Sequence, residues 1–171
     1  MKPGPNNVIL VGFMGTGKTC VGEALARRLR YTYVDTDDLI EERAGKTISR
    51  IFDEDGEGHF RALESQIAAD LEGFLEHVIA TGGGIIKSDD NIAALKRAGL
   101  VVCLTARPEV IYERVKDETH RPLLQVADPA GRIVALLAER RAQYEKSGYQ
   151  LDTSDLTPEE VVDHIVALVR R

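Results

Sequence analysis

Eight consecutive residues carry the clearest chemical signal in the chain: Gly12-Phe13-Met14-Gly15-Thr16-Gly17-Lys18-Thr19 fits G-x-x-x-x-G-K-[ST] at every position. Glycines at this spacing let the backbone curl so that successive N–H groups point at phosphate oxygens, and the start of a following helix adds a favourable dipole. Lys18 is then placed to reach the outer phosphates and the Thr19 hydroxyl to ligate Mg²⁺. Gly12, Met14, Gly15, Thr16, Gly17, Lys18, Thr19 and the adjoining Cys20 are therefore the candidate contacts to a nucleoside triphosphate. The bland alternative is a chance match inside a strand-loop-helix.

The loop does not identify the phosphoryl acceptor. No N-K-x-D segment is present to read guanine, and the strand His77 to Thr81 runs into Gly82-Gly83-Gly84 without the acid expected of a motor ATPase. Acids appear one strand earlier, at Asp35-Thr36-Asp37. Two carboxylates at i and i+2 on a strand end point to the same side, so one could organise the Mg²⁺ shell and the other accept a proton from an attacking hydroxyl. The competing reading is that Asp37 or Asp38 merely caps a helix from Leu39 to Arg43.

Several cations sit where a plain fold would not want them. In the helix from Ile133, residues 133, 136, 137, 140 and 144 form one stripe, which puts Arg140 in line with apolar side chains and Arg141 on the solvent flank. An arginine on such a stripe needs an anion, either a ligand in a cleft or a buried structural partner. In the helix from His59, Phe60, Leu63, Ile67, Leu71 and Phe74 form the apolar stripe with Glu64 at its edge. Arg61, three residues before Glu64, is either held as a rigid fork for a carboxylate or phosphate, or part of an ordinary helix ion pair. The triple glycine means a close approach, by a ligand or by a tight turn against another helix. In His120-Arg121-Pro122-Leu123-Leu124, Arg121 precedes a stiff apolar step and could neutralise charge as a phosphoryl group moves.

The elements that must position these residues alternate as short apolar runs and helical segments. Strands are predicted at Val8 to Val11, Tyr31 to Val34, Val78 to Ala80, Leu100 to Leu104 and Tyr149 to Leu151. Helices are predicted at Lys18 to Leu29, Phe60 to Leu75, Pro108 to Val115, Ile133 to Tyr144 and Pro158 to Val169. That order predicts an α/β fold, a parallel sheet with helices on both faces. Thr157, Pro158 and Glu160 fit the start of the last helix. Two stretches break the alternation, Asp35 to Gly58 and Lys116 to Gly131. Such interruptions fall above the C-terminal edge of the strands, so they are the candidate substrate-binding insert and lid.

With 171 residues the chain is expected to be one domain, spanning 1–171, and needs neither disulfide nor structural metal. Its net charge of -6 argues against nucleic acid or an anionic membrane as the main partner, so any bound anion needs a local cluster of cations. The polar start Met1 to Asn7 lacks signal-peptide character, and no run approaches a membrane span, so a cytoplasmic location is expected. Cys20 and Cys103 are expected as buried, reduced thiols. His59, His77, His120 and His164 show no metal-ligand spacing with one another or with cysteine.

Taken together, these residues resemble one family, the shikimate kinases, within the nucleoside-monophosphate-kinase-like branch of P-loop proteins. The resemblance rests on the phosphate loop 12–19, Asp35-Thr-Asp37, Gly56-Glu57-Gly-His-Phe60-Arg61-Ala-Leu-Glu64, Gly82-Gly83-Gly84, Arg121-Pro122-Leu123-Leu124 and Arg140-Arg-Ala-Gln-Tyr144, in that order from Val8 to about Val169. It implies a P-loop three-layer sandwich with a five-stranded parallel sheet, an insert at about 35–64 and a lid at about 114–130. It also implies transfer of the ATP γ-phosphoryl group to a ring hydroxyl of shikimate, a small anionic alicyclic acid, using Mg²⁺; a monomer is expected. Asp37 would contact the hydroxyls and help deprotonate the attacking one. Arg61 and Arg140, supported by Glu64, would clamp the carboxylate, and Gly82, Gly83 and Gly84 would offer backbone contacts. Asp35 would orient Mg²⁺ through water, Arg121 would meet the transferred phosphoryl and Arg114 would lie over adenine. Thr19-Cys20 stands where Ser-Thr is common in the family, and the lid is more charged than usual. The alternatives are a gluconate or nucleoside-monophosphate kinase on the same scaffold, or a non-catalytic ATP-sensing module.

Overall fold

The computed structural model describes residues 5–118 and 120–171, so Met1 to Gly4 and Thr119 of the predicted lid lie outside the described residues. The elements run β1 (Asn7–Gly12), α1 (Lys18–Leu29), β2 (Thr32–Asp35), α2 (Thr36–Ala44), α3 (Ile48–Asp55), α4 (Glu57–Asp70), β3 (His77–Ala80), α5 (Asp89–Ala98), β4 (Leu100–Thr105), α6 (Pro108–Val115), α7 (Pro129–Ser147), β5 (Tyr149–Asp152) and α8 (Pro158–Val169). The five strands form one sheet in the order β2-β3-β1-β4-β5, and every pairing is parallel.

β1 shows no polar/apolar alternation because both its faces are covered. Val8, Ile9, Leu10 and Val11 are all 0% exposed. Successive side chains point to opposite faces, so Ile9, Val11, Ile79, Val101 and Cys103 pack into one core with α4, α5 and α7. Val8, Leu10, Val78, Val102 and Leu104 pack into the other core, with α1 and α8. The chain leaves β1 toward β2 on one side, returns to β3, then crosses over β1 to reach β4. The crevice therefore opens at the C-terminal ends of β1, β3 and β4, and the chemistry-bearing loops all leave the sheet there. Among the described residues no helix is long and apolar enough to cross a membrane.

Beyond shifts of one residue at strand ends, the elements depart from the sequence reading in the helical segments. The helix predicted over Phe60 to Leu75 starts earlier, at Glu57, and ends at Asp70. A single 3₁₀ turn over Leu71–Gly73 then swings Phe74 into extended backbone for the return to β3. α5, which the sequence reading passed over, is a regular helix: Ser88 caps it, Asp89 and Asp90 fill its first turn and Lys96 and Arg97 its last. The irregular stretch predicted to Gly131 stops earlier, because the Asp128 side chain caps α7 and Pro129 occupies its first turn. The start of α8 carries the full capping box between Thr157 and Glu160.

Candidate active site

The phosphate loop is built by β1 ending at Gly12, where φ is +148° and a Cβ would strike the Leu104 carbonyl of the neighbouring strand. Thr16 is buried and its hydroxyl donates to the Phe13 carbonyl at 2.7 Å, pinning the curl from inside. α1 then begins with neither a side-chain cap nor an acid in its first turn, which leaves its leading N–H groups for an anion. Lys18 lies folded across the loop, with Nζ donating to the carbonyls of Gly12 at 2.6 Å and Phe13 at 3.0 Å. Burial, reinforced by nearby Arg121, pushes Lys18 down to about 8 against the pull of Asp35 and Asp37. Gly12 and Thr16 support the loop, while Met14, Gly15, Gly17, Lys18, Thr19 and Cys20 line the cleft above it.

The two aspartates do meet in this cleft, but not by the strand pleat the sequence suggested. β2 ends at Asp35, and Asp37 already belongs to the first turn of α2. The capping residue is Asp35, rather than Asp37 or Asp38. Its Oδ1 accepts the Asp37 backbone N–H at 2.8 Å, which frees the Asp37 carboxyl to face the cleft. Burial pushes Asp37 up to about 6, with the charges of Asp35 and Glu64 adding to the shift. Burial also raises Asp35. Tyr33 on β2, behind these acids, has its phenol pushed up to about 12, chiefly by burial and next by Asp35.

Arg140 is 7% exposed on the buried stripe of α7, whereas Arg141 is exposed and pairs with Glu145, as the helical period places them. Among the described residues no carboxylate lies within ion-pair distance of Arg140. Its Nη1 donates at long range, 3.5 Å, to the Gly83 carbonyl, its guanidinium sits over the Phe13 ring, and its Nε has no partner. Tyr144 also donates to the Gly83 carbonyl, at 3.2 Å. Arg61 is half-buried and donates to Glu64 at 2.9 Å, with Glu57 a looser contact at 3.5 Å. Glu64 is only 2% exposed; burial raises its carboxyl, and the bond from Arg61 opposes that rise. The three glycines after β3 lie among these groups. A Cβ on Gly82 would come within 2.8 Å of Asp37, one on Gly83 within 3.4 Å of Arg140, and one on Gly84 would run into the Arg61 guanidinium.

On the far side, Arg121 lines the cleft and its Nε pairs with Glu118. Arg114 is fixed by the fold: it donates to the Gly15 carbonyl at 3.0 Å and to the Thr153 hydroxyl and carbonyl at 3.1 and 2.9 Å. Thr153 in turn lies within hydrogen-bond distance of the Thr16 and Thr105 carbonyls, so it ties the phosphate loop to the ends of β4 and β5. Cys103 is buried, but Cys20 is exposed at the cleft, contrary to the sequence expectation. The inward face of α1 is Val21, Gly22, Leu25 and Ala26, and Cys20 falls outside it.

Ile48, Phe60, Thr81, Glu118 and Leu123 also line the cleft and were not singled out from the sequence. Apolar residues in an apolar pattern carry no signal of their own, although Phe60 and Leu123 adjoin predicted site residues. The cavity is about 480 Å³, enough for a small molecule beside phosphates. Five cationic side chains face four carboxylates there, a locally positive balance in a chain of net charge -6. Among the described residues no three His, Cys, Asp or Glu side chains converge as a metal cage. The exposed Thr19 hydroxyl, with the Asp35 carboxylate nearby to hold a water, is a donor set that fits an ion taking most of its ligands from phosphates and water, such as Mg²⁺.

A protein-family model for shikimate kinase matches residues 14–170. The shikimate kinase of Thermodesulfovibrio yellowstonii is 46% identical over 160 residues, 94% of this chain and 92% of the relative. That of Geobacter sulfurreducens is 45% identical over 164 residues, 96% and 91% of the two chains. Among solved structures, the shikimate kinase from Acinetobacter baumannii in complex with shikimate superposes with a TM-score of 0.88 at 36% identity, covering 96% of this chain and 93% of that one. A gluconokinase from Sinorhizobium meliloti reaches a TM-score of 0.58 at 20% identity, a likeness of fold alone. The family match covers nearly the whole chain, from within the phosphate loop through the arginines opposite it, and on that ground the chain belongs to the shikimate kinase family.

Proposed function

We propose that this chain transfers the γ-phosphoryl group of ATP to a ring hydroxyl of shikimate, giving shikimate 3-phosphate and ADP. The observation that carries the acceptor assignment is Arg140, a buried guanidinium with no carboxylate of its own among the described residues. A buried cation in that state is costly until an anion arrives. It faces the same cleft as Asp37 and the phosphate loop, so the anion it awaits is part of the phosphoryl acceptor.

The residues divide the work by position. The N–H groups of the loop and of the start of α1 hold the phosphates, with Met14, Gly15, Gly17 and Cys20 along the nucleotide path and Arg114 beside the base. Lys18 exchanges its two loop carbonyls for phosphate oxygens. Thr19, and Asp35 through water, would hold Mg²⁺, which when bound would neutralise phosphate charge. Arg61, kept in one orientation by Glu64, and Arg140 take the carboxylate as two forks, while Gly82, Gly83 and Gly84 let the ring approach the backbone. Asp37 accepts the proton of the attacking hydroxyl as the O–P bond forms. Arg121 meets the charge that develops on the moving group, and closure of the segment about 114–130 over the insert about 35–64 excludes water.

The test is a calorimetric titration of shikimate into wild type and Arg140→Met, each checked for ADP binding. The reading expects shikimate affinity to fall about a hundredfold in Arg140→Met, as for a lost charge-assisted pair, with ADP affinity within about threefold. Equal shikimate affinity in the two proteins would overturn the clamp.

A further inference from the structure

One buried polar group is left unexplained by the roles above. The Tyr33 hydroxyl is shut off from solvent and makes no hydrogen bond of ordinary geometry. Its ring lies against α1 at Gly22, where a Cβ would come within 2.7 Å of Cε2, so the helix leaves room for an aromatic ring at that point. Thr19 is one turn back from Gly22 on the same helix face, and the Thr19 side chain lies beside the Tyr33 hydroxyl. The rest of Tyr33 packs with the apolar cluster between α1 and the sheet. Phenylalanine would fill that space without burying an unpaired hydroxyl, so the oxygen calls for a reason outside packing.

Thr19 supplies one. A threonine hydroxyl that gives a lone pair to a cation still carries a proton, and coordination makes that proton a stronger donor in need of an acceptor. In a helix the usual acceptor is the carbonyl four residues back. For Thr19 that is Gly15, whose carbonyl already accepts from Arg114 at 3.0 Å. Asp35 has one oxygen committed to the Asp37 N–H. The Tyr33 oxygen is adjacent: it makes no hydrogen bond of ordinary geometry, and the side chain in looser hydrogen-bonding reach of it is Thr19.

We propose that Tyr33 is a positioning residue for the magnesium nucleotide: its hydroxyl accepts the Thr19 O–H and turns the remaining Thr19 lone pair toward the cleft. Tyr33 touches neither nucleotide nor metal in this arrangement. It acts through the orientation of Thr19, and a loose Tyr33–Thr19 contact in the free protein tightens into a hydrogen bond when Mg²⁺ and nucleotide bind. This inference rests on the nucleotide reading given above.

The experiment titrates ADP into wild type, Tyr33→Phe, Thr19→Val and the double variant, once with excess MgCl₂ and once with EDTA, and records the melting temperature of each nucleotide-free protein. Tyr33→Phe is expected to lose about tenfold of the gain in ADP affinity that Mg²⁺ brings to wild type, a usual loss for a group behind a metal ligand. Its affinity in EDTA stays within about twofold, and its nucleotide-free melting temperature is unchanged or higher by about 2 °C. In the Thr19→Val background Tyr33→Phe has no further effect on the Mg²⁺ gain. A full Mg²⁺ gain in Tyr33→Phe, an equal loss in EDTA, or an undiminished effect in the Thr19→Val background would overturn the role of Tyr33. A packing role alone lowers the melting temperature and leaves the Mg²⁺ gain intact. If wild type itself gains nothing from Mg²⁺, the nucleotide reading fails and this inference falls with it.

Discussion

Gly84 and Arg61 share a space that holds only one side chain: a Cβ on the glycine would overlap the arginine's guanidinium. Gly82 stands in the same relation to Asp37 and, less tightly, Gly83 to Arg140. None of the three glycines has a positive φ, so their backbone would suit other residues. What calls for glycine at 82 and 84 is the approach of Asp37 from α2 and of Arg61 from α4, whereas a Cβ on Gly83 would only touch Arg140 of α7. The tight turn against another helix and the ligand cleft, open alternatives in the sequence, turn out to be the same feature.

Gly84→Ala is therefore expected to displace Arg61 rather than unfold the chain. The Michaelis constant for shikimate should rise about tenfold, roughly 1.4 kcal/mol, with turnover changed by less than about threefold. Arg61→Ala should reproduce this pattern in steady-state assays, whereas Gly82→Ala, which presses on Asp37, should act mainly on turnover. An unchanged Michaelis constant in Gly84→Ala would contradict the contact.

A second expectation concerns pH. In the proposed role Asp37 must be ionised to take a proton, and its carboxyl is pushed up to about 6, mainly by burial. The kcat/KM profile should therefore fall on the acid side with an apparent value near 6, shared with neighbouring Asp35, and level off above it. The sign for stability is opposite. A carboxyl raised in the folded state favours the protonated form, so its contribution to stability is fully present below about 4 and is lost as pH rises through about 6. Asp37→Asn should thus be inactive, yet more stable than wild type at pH 7.5 by on the order of 1–3 kcal/mol, a range allowing for its partial exposure. Denaturant melts should show that difference shrinking toward pH 4.

Lys18 makes a third point testable without turnover. With its ammonium pushed down to about 8 by burial, Lys18 is expected to be partly neutral at pH 8. Phosphates beside Nζ raise it again, so ADP binding at pH 8 should take up roughly half a proton, and close to none at pH 6.5. Calorimetry in buffers of different ionisation enthalpy measures this directly. Lys18→Met should abolish the uptake, and equal uptake in that variant would exclude Lys18 as its source.

The lid arginine should separate from the clamp. Arg121 pairs with Glu118 and lies near enough to Lys18 to depress it, so it is a cation already directed at the phosphate region. Arg121→Ala is expected to lower turnover about a hundredfold while leaving the shikimate Michaelis constant within about threefold. The reverse pattern in steady-state kinetics would assign Arg121 to acceptor binding.

Much of this site was legible because burial and charge conflict along a periodic pattern. Arg140 on an apolar stripe and Glu64 at the edge of another stand out at helical spacing, and both prove buried. β1 was legible as an uninterrupted apolar run. What stayed hidden depends on contacts distant in sequence. Asp35 caps α2 only because the strand ends there, so the pleat argument reached the right pair of acids by the wrong geometry. Cys20 read as buried because one helix position away, at Val21, the chain does turn inward. The Thr153 contacts to Arg114 and the phosphate loop join residues more than thirty positions apart and leave no local pattern. α5, by contrast, had visible end signals at Ser88 and Gly99, and a crossover helix between β3 and β4 is what a parallel pair requires.

The most direct measurement is ADP formation from ATP and Mg²⁺ with shikimate, beside matched reactions with gluconate, with AMP and with no acceptor. ADP is predicted to form rapidly only where shikimate and Mg²⁺ are both present, with one equivalent of phosphorylated shikimate per ADP. Formation with gluconate or AMP but not shikimate, or at the same rate without any acceptor, would contradict the assignment of the cleft.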